Sequence, residues 1–212
     1  MRRNIIFKKG EIYHICNKSI ADYGIFEVEE NVLRFLSLLE YRNDKENGRR
    51  FSYFLKSNKY TYINLLTKPE LAKVKFLAYC IMKDHYHLLV KALDDDISNF
   101  MGQIENGYSH FFNIKYKRKG PLWQSRFRCV RVTTNEQLLH VSRYIHLNPA
   151  TSKYVDKPED WKYSSYNDFI NGKALKELDE ISIQNPKYYK KFCEDQIGYQ
   201  QSLKIIKTEL LE

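Results

Sequence analysis

Two histidines stand two residues apart in Asp84-His85-Tyr86-His87-Leu88-Leu89-Val90, inside an apolar, strand-like run. In an extended strand alternate side chains share a face, so His85 and His87 project together while Tyr86, Leu88 and Val90 project from the other side. Two neutral imidazoles at that spacing can close on one metal ion, and a divalent ion so held polarises a phosphoryl oxygen for in-line displacement. The same pattern also fits a half-polar strand whose histidines merely face water. A complete site needs a third ligand and a reacting group. Downstream, Thr133 with Glu136 fits a capping box opening a helix, which the residue before Pro149 is expected to end near Asn148. At about 100° per residue, Leu138, Val141 and Ile145 form the buried stripe of this helix, and Gln137, His140, Tyr144 and Asn148 a polar stripe beside it. Tyr144 and Asn148 lie one turn apart, so a phenol and an amide point together toward whatever the helix packs on. Ordinary amphipathic packing would also place a tyrosine there.

The elements that must carry these groups follow from hydrophobic period. Residues 11–17 alternate as a first strand that includes His14, which could face the same site as the histidine pair. Val28, Val32, Phe35, Leu36 and Leu39 make the apolar stripe of a helix laid on a sheet. Residues 42 to about 70 break the pattern, and their length fits either an inserted hairpin or a binding loop. Residues 73–82 read as a central strand, turning at Lys83-Asp84 into the histidine strand. A second helix carries Ile97, Phe100, Met101, Ile104, Tyr108 and Phe111, and ends at the basic run of Lys115, Tyr116, Lys117, Arg118 and Lys119, as its dipole favours. That run continues into Gly120-Pro121-Leu122-Trp123-Gln124-Ser125-Arg126-Phe127-Arg128, a loop dense in cations and rings that suits nucleic-acid backbone and bases. Residues 127–132 form a last strand. The order is βαββαβ, the ferredoxin-like pattern of a four-stranded antiparallel sheet with helices packed on it, in the α+β class. The tyrosine helix follows it, then a peripheral tail with helical segments near 186–197 and 199–211.

Composition sets the partner. The 212 residues hold 35 Lys plus Arg against 26 Asp plus Glu, a formal charge of +9, which favours a polyanion over an acidic small substrate. Aromatics reach 15%, including 17 Tyr and 12 Phe, and basic segments interleaved with rings suit unpaired bases. The four cysteines, Cys16, Cys80, Cys129 and Cys193, are widely spaced and indicate no disulfide framework or zinc ribbon; in strands they read as small buried hydrophobes. Residues 1–9 have no signal-type apolar stretch, and no apolar run approaches the roughly 18 residues of a membrane span. The expected location is cytoplasmic, associated with the nucleoid.

Four segments resemble the IS200-like Y1 transposases, and most nearly their REP-associated tyrosine transposase branch. They are Tyr13-His14-Ile15, Met82-Lys83-Asp84-His85-Tyr86-His87-Leu88-Leu89-Val90, Gly120-Pro121-Leu122-Trp123-Gln124-Ser125-Arg126-Phe127 and Tyr144-Ile145-His146-Leu147-Asn148-Pro149, in that order. The resemblance spans roughly residues 5 to 170. It implies a transposase domain over 1–170 with an insertion at about 44–70, and a helical extension over 171–212. In that family the histidine pair is the HUH motif, with Tyr86 as its middle residue here. The resemblance makes Tyr144 the nucleophile and gives His85, His87 and Asn148 a divalent metal, Mg²⁺ or Mn²⁺. It implies a metal-dependent single-strand DNA transesterase that forms a 5′-phosphotyrosine at hairpin-flanked sites. The expected partner is single-stranded or hairpin DNA, without a membrane, bound by a monomer or homodimer. Lys115, Lys117, Arg118, Lys119, Trp123, Gln124, Arg126 and Arg128 are the candidate DNA contacts. Lys83-Asp84 departs from the Pro-Asn of many relatives. Two other classes remain open: a binding regulator that has lost its chemistry, and a metallohydrolase with a carboxylate base. For the latter Asp84 is near in sequence, but alternation points it away.

Overall fold

The sheet is built around β1 (Ile12–Lys18), whose alternating burial puts Tyr13, Ile15 and Asn17 inside and leaves His14, Cys16 and Lys18 half-covered. This is a computed structural model, and it describes residues 7–57, 60, 62–67, 70–175 and 178–198. After β1 come α1 (Glu29–Asn43), α2 (Phe51–Ser57), β2 (Val74–Ile81), β3 (His85–Ala92), α3 (Ile97–Lys115), β4 (Arg128–Val132), α4 (Asn135–Thr151), α5 (Tyr166–Ile170) and α6 (Pro186–Glu194). All neighbours pair antiparallel in the order β2-β3-β1-β4, so the expected α+β sheet forms with β1 and β3 at its centre.

The inner face meets α1 and α3, where Phe35 packs on Tyr86 and Tyr108 at ring separations of 5.1 and 5.2 Å. The opposite face is covered by α4, which lies on β2 and β3. Lys83-Asp84 makes the expected corner, closed by Met82 N–H donating to His85 O at 2.8 Å. Val28 is corrected: it is the exposed N-cap of α1, and the buried stripe begins at Val32.

Among the described residues of 42–70 the chain forms the helix α2 rather than a hairpin. Phe51 and Phe54 of α2 stack on Tyr41 of α1, each at 4.8 Å, and the Tyr60 hydroxyl donates to Glu40 Oε2 at 2.8 Å. The cap of α4 is also shifted by one residue from expectation. Thr134 Oγ1 accepts from Gln137 N–H, and Gln137 Oε1 accepts from Thr133 N–H at 2.9 Å, so Gln137 rather than Glu136 closes the box. The helix also runs through Pro149 to Thr151 instead of stopping at Asn148. Burial of Leu147, Pro149 and Ala150 outweighs the local penalty of a pre-proline residue, and Ser152 N–H to Asn148 O (2.9 Å) and Tyr154 N–H to Pro149 O (3.0 Å) cap the end.

The tail packs from outside onto α4 and α5, burying Leu178, Ile181, Tyr189 and Cys193. Residues 199–211, expected as a last helical segment, lie outside the described residues.

Candidate active site

Strand register assembles one wall of the site. In the β1–β3 pair Cys16 lies opposite His87 and Lys18 opposite His85, and in the β1–β4 pair Arg128 lies opposite Cys16. By alternation His14, Cys16, Lys18, His85, His87 and Arg128 therefore share the face that α4 crosses. His14 Nε2 is 3.0 Å from His87 Nδ1, and the His85 and His87 rings meet edge to face at 5.1 Å.

Above them the Asn148 amide Nδ2 donates to His87 Nε2 at 3.0 Å, and both residues are buried. One turn earlier, Tyr144 sets its ring edge-on to His87 at 5.4 Å and to His14 at 6.2 Å. Tyr144 keeps 44% of its surface exposed. Partial burial raises its phenol above the ordinary tyrosine range and nearby Cys16 adds to this, while a hydrogen bond with Asn148 pulls the other way. Burial lowers His14 to about 4, so it stands neutral near pH 7 with a lone pair available. Thus the structure brings Tyr144, His87 and Asn148 into contact, with His85 at their edge.

Asp84 does not point away. It sits in the turn, outside the alternation, and its Oδ1 lies 2.6 Å from His85 Nδ1 while Oδ2 is 3.3 Å from Lys18 Nζ. Burial alone would raise its carboxyl, but the hydrogen bonds of His85 and Lys18 outweigh this and hold it below the usual range. The carboxylate fixes the His85 ring with Nε2 directed elsewhere, as a carboxylate behind a metal-binding histidine does. Cys16 is likewise not a core hydrophobe: it is half-buried on the site face. Sequence reasoning missed Cys16 and Lys18, although both keep the two-residue phase of His14.

Under the sheet, buried Glu105 accepts from Asn17 Nδ2 (2.7 Å) and from the Tyr86 hydroxyl (2.8 Å), and its backbone oxygen accepts from Trp123 Nε1 (3.1 Å). Asn17 Nδ2 also donates to Ser125 O at 2.9 Å, so β1 and β3 meet at the Glu105 carboxylate and the basic loop is tied in through Asn17 and the Glu105 backbone oxygen. Gln124 N–H donates to Lys18 O at 2.9 Å, which docks the loop beside the His85 end of the sheet.

The candidate DNA contacts divide into two groups. Lys115 donates to Glu30 Oε2 (2.7 Å) and Asn31 Oδ1 (3.0 Å), Arg118 to Asn113 Oδ1 (3.0 Å) and Pro121 O (2.7 Å), and Trp123 packs among Phe26, Phe35, Tyr86 and Tyr108. These three shape the loop. Lys117, Lys119, Gln124, Arg126 and Arg128 are exposed. Lys117 adopts the left-handed conformation (φ 50°) at the end of α3, where Arg118 N–H donates back to Asn113 O.

His146 faces away from the site. It is fully buried and hydrogen-bonds the Tyr189 hydroxyl and Ser165 Oγ, each at 2.8 Å, tying the back of α4 to α5 and α6.

Residues 50–148, just under half of the chain, match the family model described as IS200-like transposase, a span that includes His85, His87, Tyr144 and Asn148. A Haemophilus influenzae protein named as a candidate REP-associated tyrosine transposase is 29% identical over 102 residues, which are 43% of this chain. The match spans 58% of that relative's length. A solved REP-associated tyrosine transposase bound to a REP hairpin superposes with a TM-score of 0.58 at 15% identity, over 81% of this chain and 86% of the other. That likeness is one of fold. No helix among the described residues is long and apolar enough to cross a membrane.

Proposed function

We propose that the chain, residues 50–148 of which match the IS200-like transposase model, cleaves and rejoins single-stranded DNA through Tyr144. The observation that carries the reading is the meeting of Tyr144 and Asn148, one helical turn apart, with His87 of the central strand. The Tyr144 oxygen attacks a backbone phosphorus and the deoxyribose 3′-oxygen leaves. The phenol proton is lost, the leaving oxygen takes one up, and the phosphodiester is kept as a 5′-phosphotyrosine ester that the freed 3′-OH can reverse. No external energy source is needed.

The donor set at the site fits a divalent metal. His87 Nε2 and the Asn148 amide already converge at 3.0 Å, and turning that amide end for end presents Oδ1 in its place. His85, held by Asp84, would complete the set. A bound Mg²⁺ or Mn²⁺ would supply positive charge at the scissile phosphate and favour phenolate over phenol. The chain's own contribution is orientation. α4 fixes the ring of Tyr144 against two imidazoles, with a phenol that burial holds above the ordinary tyrosine range. Arg128, beside Cys16 on the same face, and Lys117, Lys119 and Arg126 of the loop are assigned to phosphates. The hairpin DNA of the solved relative supports a hairpin-flanked single strand as substrate.

The test is an oligonucleotide-to-protein adduct that survives SDS and boiling. The parent chain with Mn²⁺ should form it on single strands taken from DNA flanking its own gene. Tyr144→Phe, which removes one oxygen and leaves the ring, should fold, bind DNA and form none. An adduct at the parental rate in Tyr144→Phe would place the nucleophile elsewhere, and absence of cleavage in the parent across such strands would favour a binding regulator on the same fold.

A further inference from the structure

The Tyr144–His87–Asn148 arrangement uses one nitrogen of His87, and the other faces a different set of ligands. His87 Nδ1 is 3.0 Å from His14 Nε2, and ligand atoms of His14, Cys16 and His87 all lie within 4.8 Å of one another. Tetrahedral zinc with two nitrogens and one sulfur needs ligand separations of about 3.3–3.6 Å, so small side-chain rotations suffice. The backbone is already placed for it: Cys16 and His87 are cross-strand partners, His14 is two residues along β1 on the same face, and β1 is held on both sides by β3 and β4. We propose that His14, Cys16 and His87 form a second, thiophilic metal site that takes a divalent ion of the zinc class and excludes a hard ion from the other nitrogen of His87.

The chemistry of the donors separates the two sites. Imidazole, amide and phosphate oxygen suit Mg²⁺ or Mn²⁺, whereas a thiolate draws Zn²⁺, Co²⁺ or Cd²⁺. On binding, the Cys16 thiol gives its proton to solvent and its sulfur lone pair to the metal, leaving a fourth position for water. Exclusion follows from the tautomer. A neutral imidazole has one in-plane lone pair, so when Nε2 is a ligand Nδ1 carries the proton toward His14. When Nδ1 is the ligand, the proton moves to Nε2 and points at Asn148. One neutral ring therefore serves one ion at a time. Metal capture at Cys16 stands by itself; only the inhibition rests on the transesterase reading above.

Cobalt titration of the reduced, metal-stripped full chain tests the site directly. The parent should develop the intense near-ultraviolet absorption of a sulfur–cobalt bond, Cys16→Ser should lose it, and Cys129→Ser should keep it. A parent without the band, or a band unchanged in Cys16→Ser, would overturn the proposal. A second measurement needs no variant: Zn²⁺ should slow iodoacetamide alkylation of Cys16 several-fold without slowing that of Cys129, and equal rates with and without zinc would count against it. In the Mn²⁺ cleavage assay, Zn²⁺ should inhibit the parent and lose at least tenfold in potency against Cys16→Ser, each measured relative to its own zinc-free rate. Equal potency on both would remove the exclusion while the cobalt and alkylation results decide the binding.

Discussion

Asp84 shows how much a single side chain outside a regular element can carry. Its carboxylate holds His85 at 2.6 Å, so on the proposed metal site Asp84→Asn should leave the fold intact and raise the Mn²⁺ concentration needed for half-maximal cleavage by about 10–100-fold, read from activity against metal concentration. At this scale the sequence was legible where a period applied. Alternation paired His85 with His87, and a spacing of four paired Tyr144 with Asn148. It misplaced Asp84 because alternation ends where β3 begins, at His85, and a turn residue is free to fold back over the strand face. Cys16 was misread for a different reason. A thiol among Ile and Tyr has the hydrophobicity of a core residue, and its cross-strand neighbour His87 becomes visible only when the β1–β3 register is known.

At the scale of elements, the insertion is the part that period and composition left open. Its rings meet one another, Phe51 with Tyr60 at 5.4 Å and Phe54 with Tyr60 at 5.9 Å, and close together on Tyr41 of α1, with Arg34 4.5 Å over the Phe51 ring. Only a tertiary partner explains them, which is why residues 42–70 read as an interruption. Phe51 is 3% exposed, so Phe51→Ala should cost about 3–5 kcal/mol of stability, measured by urea unfolding. The β1–β3 register is remote from that contact and should still support the Tyr144 adduct at temperatures where the variant is folded. The basic loop behaves in the opposite way, since it is pinned to the sheet through Glu105, Asn17 and Trp123. It thereby presents its exposed cations from a fixed base, and its cation-and-ring composition was readable although Lys115, Arg118 and Trp123 are engaged by the protein itself.

For the whole molecule, a formal charge of +9 predicts strong salt dependence of binding. With Lys117, Lys119, Arg126 and Arg128 on phosphates, each contact should add about 0.7 to the negative log–log slope on a single strand, so a slope near zero between low and physiological salt would exclude the loop. Acid should weaken the fold through His146, which burial lowers to about 3 from an ordinary 6.5. The unfolded chain takes up a proton that the folded one refuses, so stability is full above about pH 6.5 and falls by about 1.4 kcal/mol per unit below it, until the folded value is reached. Urea midpoints at pH 7 and pH 5, in EDTA, should show a loss of about 2 kcal/mol from this residue. The contacts of His146 with Tyr189 and Ser165 also impose an order on synthesis. The face bearing His14, Cys16, His85 and His87 is complete once β3 has been made, whereas α4 gains its outer support only when Tyr189 and Cys193 have been added. Under the mechanism proposed above, a chain still attached to the ribosome would assemble its histidine face before α4 could hold Tyr144 and Asn148 against it, and would be unable to cut DNA until almost all of the described molecule had been translated.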